Sequence, residues 1–93
     1  YLLDSSDNFI INNDCLNPGQ NGIYLVNSNY NNINYNNCSN KDKYGIYLQY
    51  SNGNNIENNT CFSNYDAGIY LSYSNNNLIK NNNNILYNRI QII

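Results

Sequence analysis

Apolar residues in this chain come in short alternating runs that return at a fixed interval. The clearest are Ile23-Tyr24-Leu25, Ile46-Tyr47-Leu48 and Ile69-Tyr70-Leu71, each preceded by a glycine (Gly22, Gly45, Gly68). Eight residues beyond each leucine stands a single isoleucine in polar surroundings, giving the column Ile10/Ile33/Ile56/Ile79. The interval is 23 residues. It divides the chain into a partial unit 1–21 and the units 22–44, 45–67 and 68–93. Tyr1 aligns with Tyr24, Tyr47 and Tyr70, and Cys15 with Cys38 and Cys61. A fixed period of this size is the mark of a solenoid, in which each unit packs only on its neighbours.

Within a unit the alternation predicts strands. Ile and Leu of the Gly-Ile-Tyr-Leu segment share the inward face and Tyr the outward one. The glycine sits where the chain turns through φ > 0 or passes close to other backbone. A second strand is predicted around the isolated isoleucine. A third, less regular one follows the cysteine, with Leu16, Phe62 and Ile85 in one column interrupted by Ser39. Three short strands per 23 residues is the plan of an all-β, parallel β-helix of about four turns. Helical repeats need about 33 residues for two helices and their loops, and Asn, Ile and Tyr form helices poorly. The L-x-x-L-x-L pattern of leucine-rich repeats is absent.

Composition adds limits. Asn is the commonest residue, with 27 copies, which in another arrangement would suggest a disordered tract; the strict register of Gly, Ile and Leu between the asparagines predicts an ordered coil instead. The net charge of −2 with few charged residues argues against a nucleic-acid partner, which needs a basic face. No apolar run of about 20 residues suggests membrane insertion. The chain begins inside one unit and ends inside another, with Gln91, Ile92 and Ile93 in the Gly-Ile-Tyr slot. It therefore reads as an uncapped fragment. Its expected partners are the remaining turns of its own parent chain or stacked copies of itself, since open strand edges are templates for further strands.

The recurring pattern G-I-Y-L-x-x-S-x-x-N-x-I-x-x-N, present as GIYLVNSNYNNINYN and GIYLQYSNGNNIENN, resembles right-handed parallel β-helix repeats of the NosD-like and carbohydrate-binding or sugar-hydrolase type. The resemblance covers the whole chain and implies a right-handed coil, consistent with the general hand of parallel β connections. The Asn-, Ile- and Tyr-rich style also looks like that of archaeal surface and adhesin-like proteins, which implies an extracellular or cell-surface location. The NosD-like label suggests copper, yet the chain has no His and no Met, the usual copper ligands beside Cys. No cofactor and no metal are expected.

Four sets of columns could carry chemistry. Asn13/Asn36/Asn59/Asn82 and Asn8/Asn31/Asn54/Asn77 are read as ladders, each amide donating to the one a turn above and accepting from the one below. Cys15/Cys38/Cys61 is read as a buried row of thiols about 4.8 Å apart. Parallel Cβ vectors do not favour disulfides, and a straight row does not converge on a metal as C-x-x-C pairs do. The outward tyrosines Tyr24, Tyr47 and Tyr70, with Tyr50 and Tyr73 as a second, shorter stack, are the candidate glycan contacts. Flat aromatic faces beside Asn amides suit sugar rings, although stacked tyrosines also stabilise a sheet.

Enzymes on this fold resemble one another in clustering acidic and basic residues along a groove. Here Asp66 falls between Lys43 and Arg89, and Glu57 under Lys80, as cross-turn charge pairs. Only Asp4 and Asp7 sit close together without an evident cation. The expected role is a non-catalytic spacer, adhesion or glycan-binding face of a surface or secreted protein. The alternatives are a module of a polysaccharide-active enzyme and a self-stacking filament subunit.

Overall fold

The computed structural model describes residues 1–16, 18–83 and 90–93, and the side chains of all of these except Ile90 and Gln91. Its strands follow the predicted alternation: β1 (Leu2–Leu3), β2 (Phe9–Ile11), β3 (Asn21–Val26), β4 (Asn32–Asn34), β5 (Tyr44–Gln49), β6 (Asn55–Glu57), β7 (Ala67–Ser72), β8 (Leu78–Lys80) and β9 (Ile90–Ile92). Odd-numbered strands form one parallel sheet in the order β1-β3-β5-β7-β9, and even-numbered strands a second, β2-β4-β6-β8. From β1 to β8 each pairing advances 23 residues, so that Leu2 meets Leu25, Ile23 meets Ile46 and Tyr47 meets Tyr70. The result is a β-solenoid of about three turns. Among the described residues no helix is long and apolar enough to cross a membrane.

Two apolar files from the first sheet, Ile23/Ile46/Ile69 and Leu25/Leu48/Leu71, meet the file Ile33/Ile56 of the second inside the coil, with Cys38 and Cys61 completing the buried cluster. Each fully buried aliphatic side chain contributes about 1.5–3 kcal/mol of transfer free energy. No turn buries enough of them to stand alone, which is why stability accrues only by stacking.

The third face differs from expectation. It is reduced to single parallel bridges, Asp14 to Asn37, Asn37 to Thr60 and Thr60 to Asn83, one residue before the cysteines or their register equivalent. Leu16 (77% exposed) and Phe62 (37%) do not point into the core. The cysteine itself is the inward residue of this face, and Asn40 and Ser63, two positions past Cys38 and Cys61, adopt φ of 61° and 58°, which ends any strand there. Ile85 lies outside the described residues.

The last pairing also departs from the period. Ile90, Gln91 and Ile92 oppose Ile69, Tyr70 and Leu71, an advance of 21 residues. Gln91 therefore takes the tyrosine register position, not the glycine slot that the period predicts. A shift of two brings Ile90 and Ile92 into register with Ile69 and Leu71.

Gly22 and Gly45 are explained by close approach rather than by φ. Gly22 and Gly45 lie within β3 and β5 and neither has positive φ. A Cβ on Gly45 would stand 2.7 Å from the carbonyl oxygens of both Cys38 and Gly68, and one on Gly22 would stand 2.8 Å from Cys38 Cβ. The positive-φ corners fall elsewhere, in the columns Asp4/Asn27/Tyr50/Tyr73, Asp7/Tyr30/Gly53/Asn76 and Asn12/Tyr35/Asn58/Asn81, all between 48° and 65°. Asn and Asp tolerate this left-handed geometry; Tyr does so at a cost of about 1–2 kcal/mol.

Two substitutions with opposite signs follow. Gly45→Ala forces a methyl group against backbone and is expected to lower stability by about 1–3 kcal/mol. Tyr35→Asn, at an exposed corner whose column is otherwise Asn, is expected to raise it by about 1 kcal/mol. Thermal melts followed by circular dichroism check both, and a neutral Gly45→Ala would refute the close-approach account.

Candidate functional site

The inner corners are held by side chains that act as backbone. In the column Asn13/Asn36/Asn59/Asn82, the Asn36 backbone N–H and its Nδ2–H both donate to Asn59 Oδ1, at 2.9 and 3.0 Å. The second Asn36 Nδ2 hydrogen goes to the Ile10 carbonyl of the preceding turn, at 2.8 Å. Asn13 repeats the pattern towards Asn36 and Asn59 towards Asn82. In the second column the scheme holds for Asn8 towards Asn31 and for Asn31 towards Asn54, with Asn31 N–H and Nδ2–H on Asn54 Oδ1 at 2.8 and 3.1 Å. Asn31, Asn36, Asn54 and Asn59 are all buried. Along these rungs the expected amide-to-amide ladder is present, and the Asn31, Asn36 and Asn59 side chains each also hold a main-chain N–H and a carbonyl of the preceding turn.

Asn77 is a correction to that ladder. It was expected to accept from the Asn54 amide, but that rung is missing. Asn77 Oδ1 accepts only the Asn54 backbone N–H, at 2.7 Å. The Asn54 Nδ2 hydrogens go instead to the carbonyls of Ser28, at 3.0 Å, and Asn52, at 3.3 Å. The physical reason is donor supply: an amide nitrogen has two hydrogens, and both are taken by main-chain acceptors. Asn77 itself is half-buried, unlike Asn31 and Asn54, and its Nδ2 donates to the Ser51 carbonyl at 3.0 Å. It therefore pins an N–H and a carbonyl of the preceding turn without an amide-to-amide bond.

Three further features went unread in the sequence. Ser28, Ser51 and Ser74 form another inner ladder: Ser28 N–H donates to Ser51 Oγ and Ser51 N–H to Ser74 Oγ, both at 3.0 Å. An outer column runs in the opposite sense, Asn52 N–H donating to Asn29 Oδ1 and Asn75 N–H to Asn52 Oδ1, both at 2.7 Å. Lys41 is buried (4% exposed), and its ammonium donates to the Cys15 carbonyl. The invariance of the serine column was visible, but a serine before an Asn-rich loop reads equally well as a surface turn. A lysine between Asn40 and Asp42 gives no sign of burial.

The thiols stand as a row. Cys15 Sγ is 3.8 Å from Cys38 Sγ, far beyond the length of a disulfide bond, and also donates to the Gly22 carbonyl at 3.6 Å. All three cysteines are free. The hydrogen bond to Cys38, then burial, push the Cys15 thiol well above its ordinary value, against the pull of Lys41. For Cys38 the contact with Cys15 lowers the value, but the contact with Cys61 and burial outweigh it and the thiol is raised overall. Such thiols are neutral, poor nucleophiles and poor metal ligands. Among the described residues no three His, Cys, Asp or Glu side chains are grouped so as to hold a metal ion. Asn84, which ends the row by register, lies outside the described residues.

On the outer face of the first sheet the tyrosines make a continuous file. Ring centroids of Tyr24 and Tyr47 are 4.6 Å apart with planes 4° from parallel; Tyr47 and Tyr70 are 5.1 Å apart at 26°. Tyr1 joins at 5.2 Å, tilted, and Tyr44 widens the file by stacking on Tyr70 at 4.6 Å. Tyr24 donates its hydroxyl to Gln49 Oε1 at 2.8 Å. Burial within the file raises the Tyr24 and Tyr47 phenols, with the neighbouring phenolates as the next cause. Tyr50 and Tyr73 form a separate stack at 5.5 Å, both exposed. Within the main file the ring faces cover one another, so edges and hydroxyls are what the file offers to solvent.

Glu57 and Lys80 are register partners on neighbouring strands, and Asp66 meets Lys43 through the main chain, its N–H donating to the Lys43 carbonyl at 2.9 Å. Arg89 lies outside the described residues. Asp4 and Asp7 occupy two successive positive-φ corners of the first turn.

Parallel sheets in 23-residue register and asparagine-lined inner corners are the features of a β-helix. The chain belongs to the right-handed β-helix family, whose profile matches residues 1–92. No curated protein and no solved structure matches it.

Two predictions test this interior. Asn36→Ala strips acceptors from the Asn13 N–H and Nδ2 and a donor from the Ile10 carbonyl. With each buried orphan costing about 1–3 kcal/mol, it should destabilise by about 3 kcal/mol or more. Asn29→Ala, in the outer column, should cost under about 1 kcal/mol; equal losses would refute the distinction. Stability should also fall as pH rises above the ordinary thiol value of 9.0, because unfolded cysteines ionise there while Cys15 and Cys38 stay protonated in the coil. The slope averages about 0.7 kcal/mol per pH unit per thiol across that value and approaches about 1.4 only above it. Denaturation midpoints of the wild type and Cys38→Ala from about pH 8 to about pH 10 measure it, and a smaller slope in the variant is expected.

Proposed function

We propose that this β-helix segment is a rigid, non-catalytic spacer of a surface or secreted protein and that its tyrosine face contacts glycans. The observation that carries the reading is the unbroken file of Tyr1, Tyr24, Tyr47 and Tyr70, broadened by Tyr44, on the outer face of the longer sheet. Its backing is the aliphatic core and the inner ladders, so the rings keep their spacing without a ligand, and ordering them on binding costs little.

The file presents hydroxyls at the spacing of the turns. A sugar chain lying along it meets phenols that donate and accept hydrogen bonds, while Tyr50 and Tyr73 offer ring surface for stacking at the rim. A spacer role needs only the repeated interface between turns. Hydrolysis in the usual two-carboxylate manner needs acids facing each other across a bond, whereas Asp4 and Asp7 stand in adjacent corners of one turn.

Affinity electrophoresis through gels containing neutral or acidic polysaccharides tests the glycan contact. Retention is expected for the wild type, with loss in Tyr47→Ala and Tyr70→Ala and no change in Tyr65→Ala, whose ring is exposed elsewhere. Retention that survives both ladder substitutions would leave the spacer role and remove the glycan face.

A further inference from the structure

A second aromatic surface lies away from the tyrosine file, at the edge of the second sheet. There a groove of about 290 Å³ is lined by Asp7, Phe9, Tyr30, Asn32, Gly53 and Asn55, with Asn8 and Asn31 behind them. Its volume is at the small end of ligand sites, suited to a headgroup rather than to a chain of sugars. We propose that this groove binds a small organic ammonium cation such as choline or tetramethylammonium.

Three observations converge on that chemistry. The first is the walls. Phe9 is 75% exposed and Tyr30 68% exposed, and both line one groove. Tyr30, Asp7 and Gly53 belong to the same positive-φ column, so they stand one above another on three successive turns. A Cβ on Gly53 would come within 2.7–2.8 Å of Tyr30 Cε1 and Cδ1. The ring of one turn thus rests against the bare backbone of the next, and the glycine makes room for it. Aromatic faces attract cations through the ring quadrupole.

The second is charge. The Asp7 carboxylate lines the groove and gives it a formal negative charge, while the amides behind it turn their donors away into the coil: Asn8 Nδ2 donates to Ser5, Ser6 and Asn31, and Asn31 Nδ2 to Ser5 and Asn54. Neutral sugars bring donors and acceptors alike, and an anion would meet Asp7. The third is the absence of an internal competitor: none of the residues lining the groove is Lys or Arg.

An ammonium cation satisfies all three conditions. Choline and its methyl groups would rest on Phe9 and Tyr30, with Asp7 supplying the counter-charge and the choline hydroxyl donating to a groove acceptor. The site lies on a different sheet from the tyrosine file, so it stands or falls separately from the glycan reading.

The test is a titration of the folded chain with choline chloride and, separately, tetramethylammonium chloride, followed by the aromatic NMR resonances. Tyr30→Asn and Asp7→Asn suit a left-handed corner and should fold; circular dichroism checks that each remains a coil. Saturable shifts of the Phe9 and Tyr30 ring signals are expected in the wild type, with affinity about tenfold weaker in each variant. Tyr35→Asn, outside the groove, should bind as the wild type does. Absence of shifts, binding that survives both substitutions, or equal displacement of the same signals by methyl glucoside would overturn the proposal.

Discussion

Everything in this coil depends on what happens to backbone groups at its inner corners. A chain that turns inward every few residues carries N–H and C=O groups into an apolar interior, where an unpaired one costs about as much as a well-made hydrogen bond contributes. The strands satisfy only their own. At the corners the carboxamide of Asn does the rest, because it combines an oxygen with two lone pairs and two N–H donors in a neutral group short enough to stay beside its own backbone. Asn36 uses all of this capacity. A leucine there would bury more carbon and leave three groups stranded; an aspartate would bring a charge and no donor.

The remaining interior is fitted around that solution. With corners fixed, the inward positions left over are narrow. The aliphatic pair and the lone isoleucine fill the wide part, and cysteine, a small apolar residue in effect, fills the tight angle where Gly22 and Gly45 pass close to Cys38. Lys41 is the exception. Its ammonium reaches the Cys15 carbonyl from a buried position, and it shifts the neighbouring thiols downward against burial without reversing them.

Much of this was legible in the residues, and for a plain reason. Periodicity of 23 with inward Ile and Leu defines the pitch, the two sheets and their register directly, and invariant Asn columns announce ladders. An invariant column does not say which donor serves each rung, so the missing amide bond between Asn54 and Asn77 could not be foreseen. What else escaped detection was anything set by main-chain conformation. Tyr30, Tyr35, Tyr50 and Tyr73 occupy left-handed corners that their identity does not advertise, since tyrosine is a strand former by preference. The third strand was anticipated from Leu16 and Phe62, apolar residues that in fact face outward, because the chain bends two residues past the cysteine. The tyrosine file was foreseen, but not that its faces would be consumed by one another. The groove beside Phe9 combines residues from three turns whose columns hold unlike side chains, so no column reveals it.

The inner ladders and the outer one run in opposite senses. Inside, the side-chain oxygens of Ser51 and Asn54 accept from the turn before; outside, those of Asn29 and Asn52 accept from the turn after. Each layer therefore has distinct upper and lower sides, and the same pair of sides meets at every regular junction. Such a junction is a heterologous contact. It cannot be inverted, and it can be lengthened or shortened only by whole layers. Removing one entire repeat would rejoin two surfaces that already fit, whereas removing a single residue would misalign every column beyond it. The reach of such a rod is thus counted in integers, a ruler whose graduations are its own hydrogen bonds.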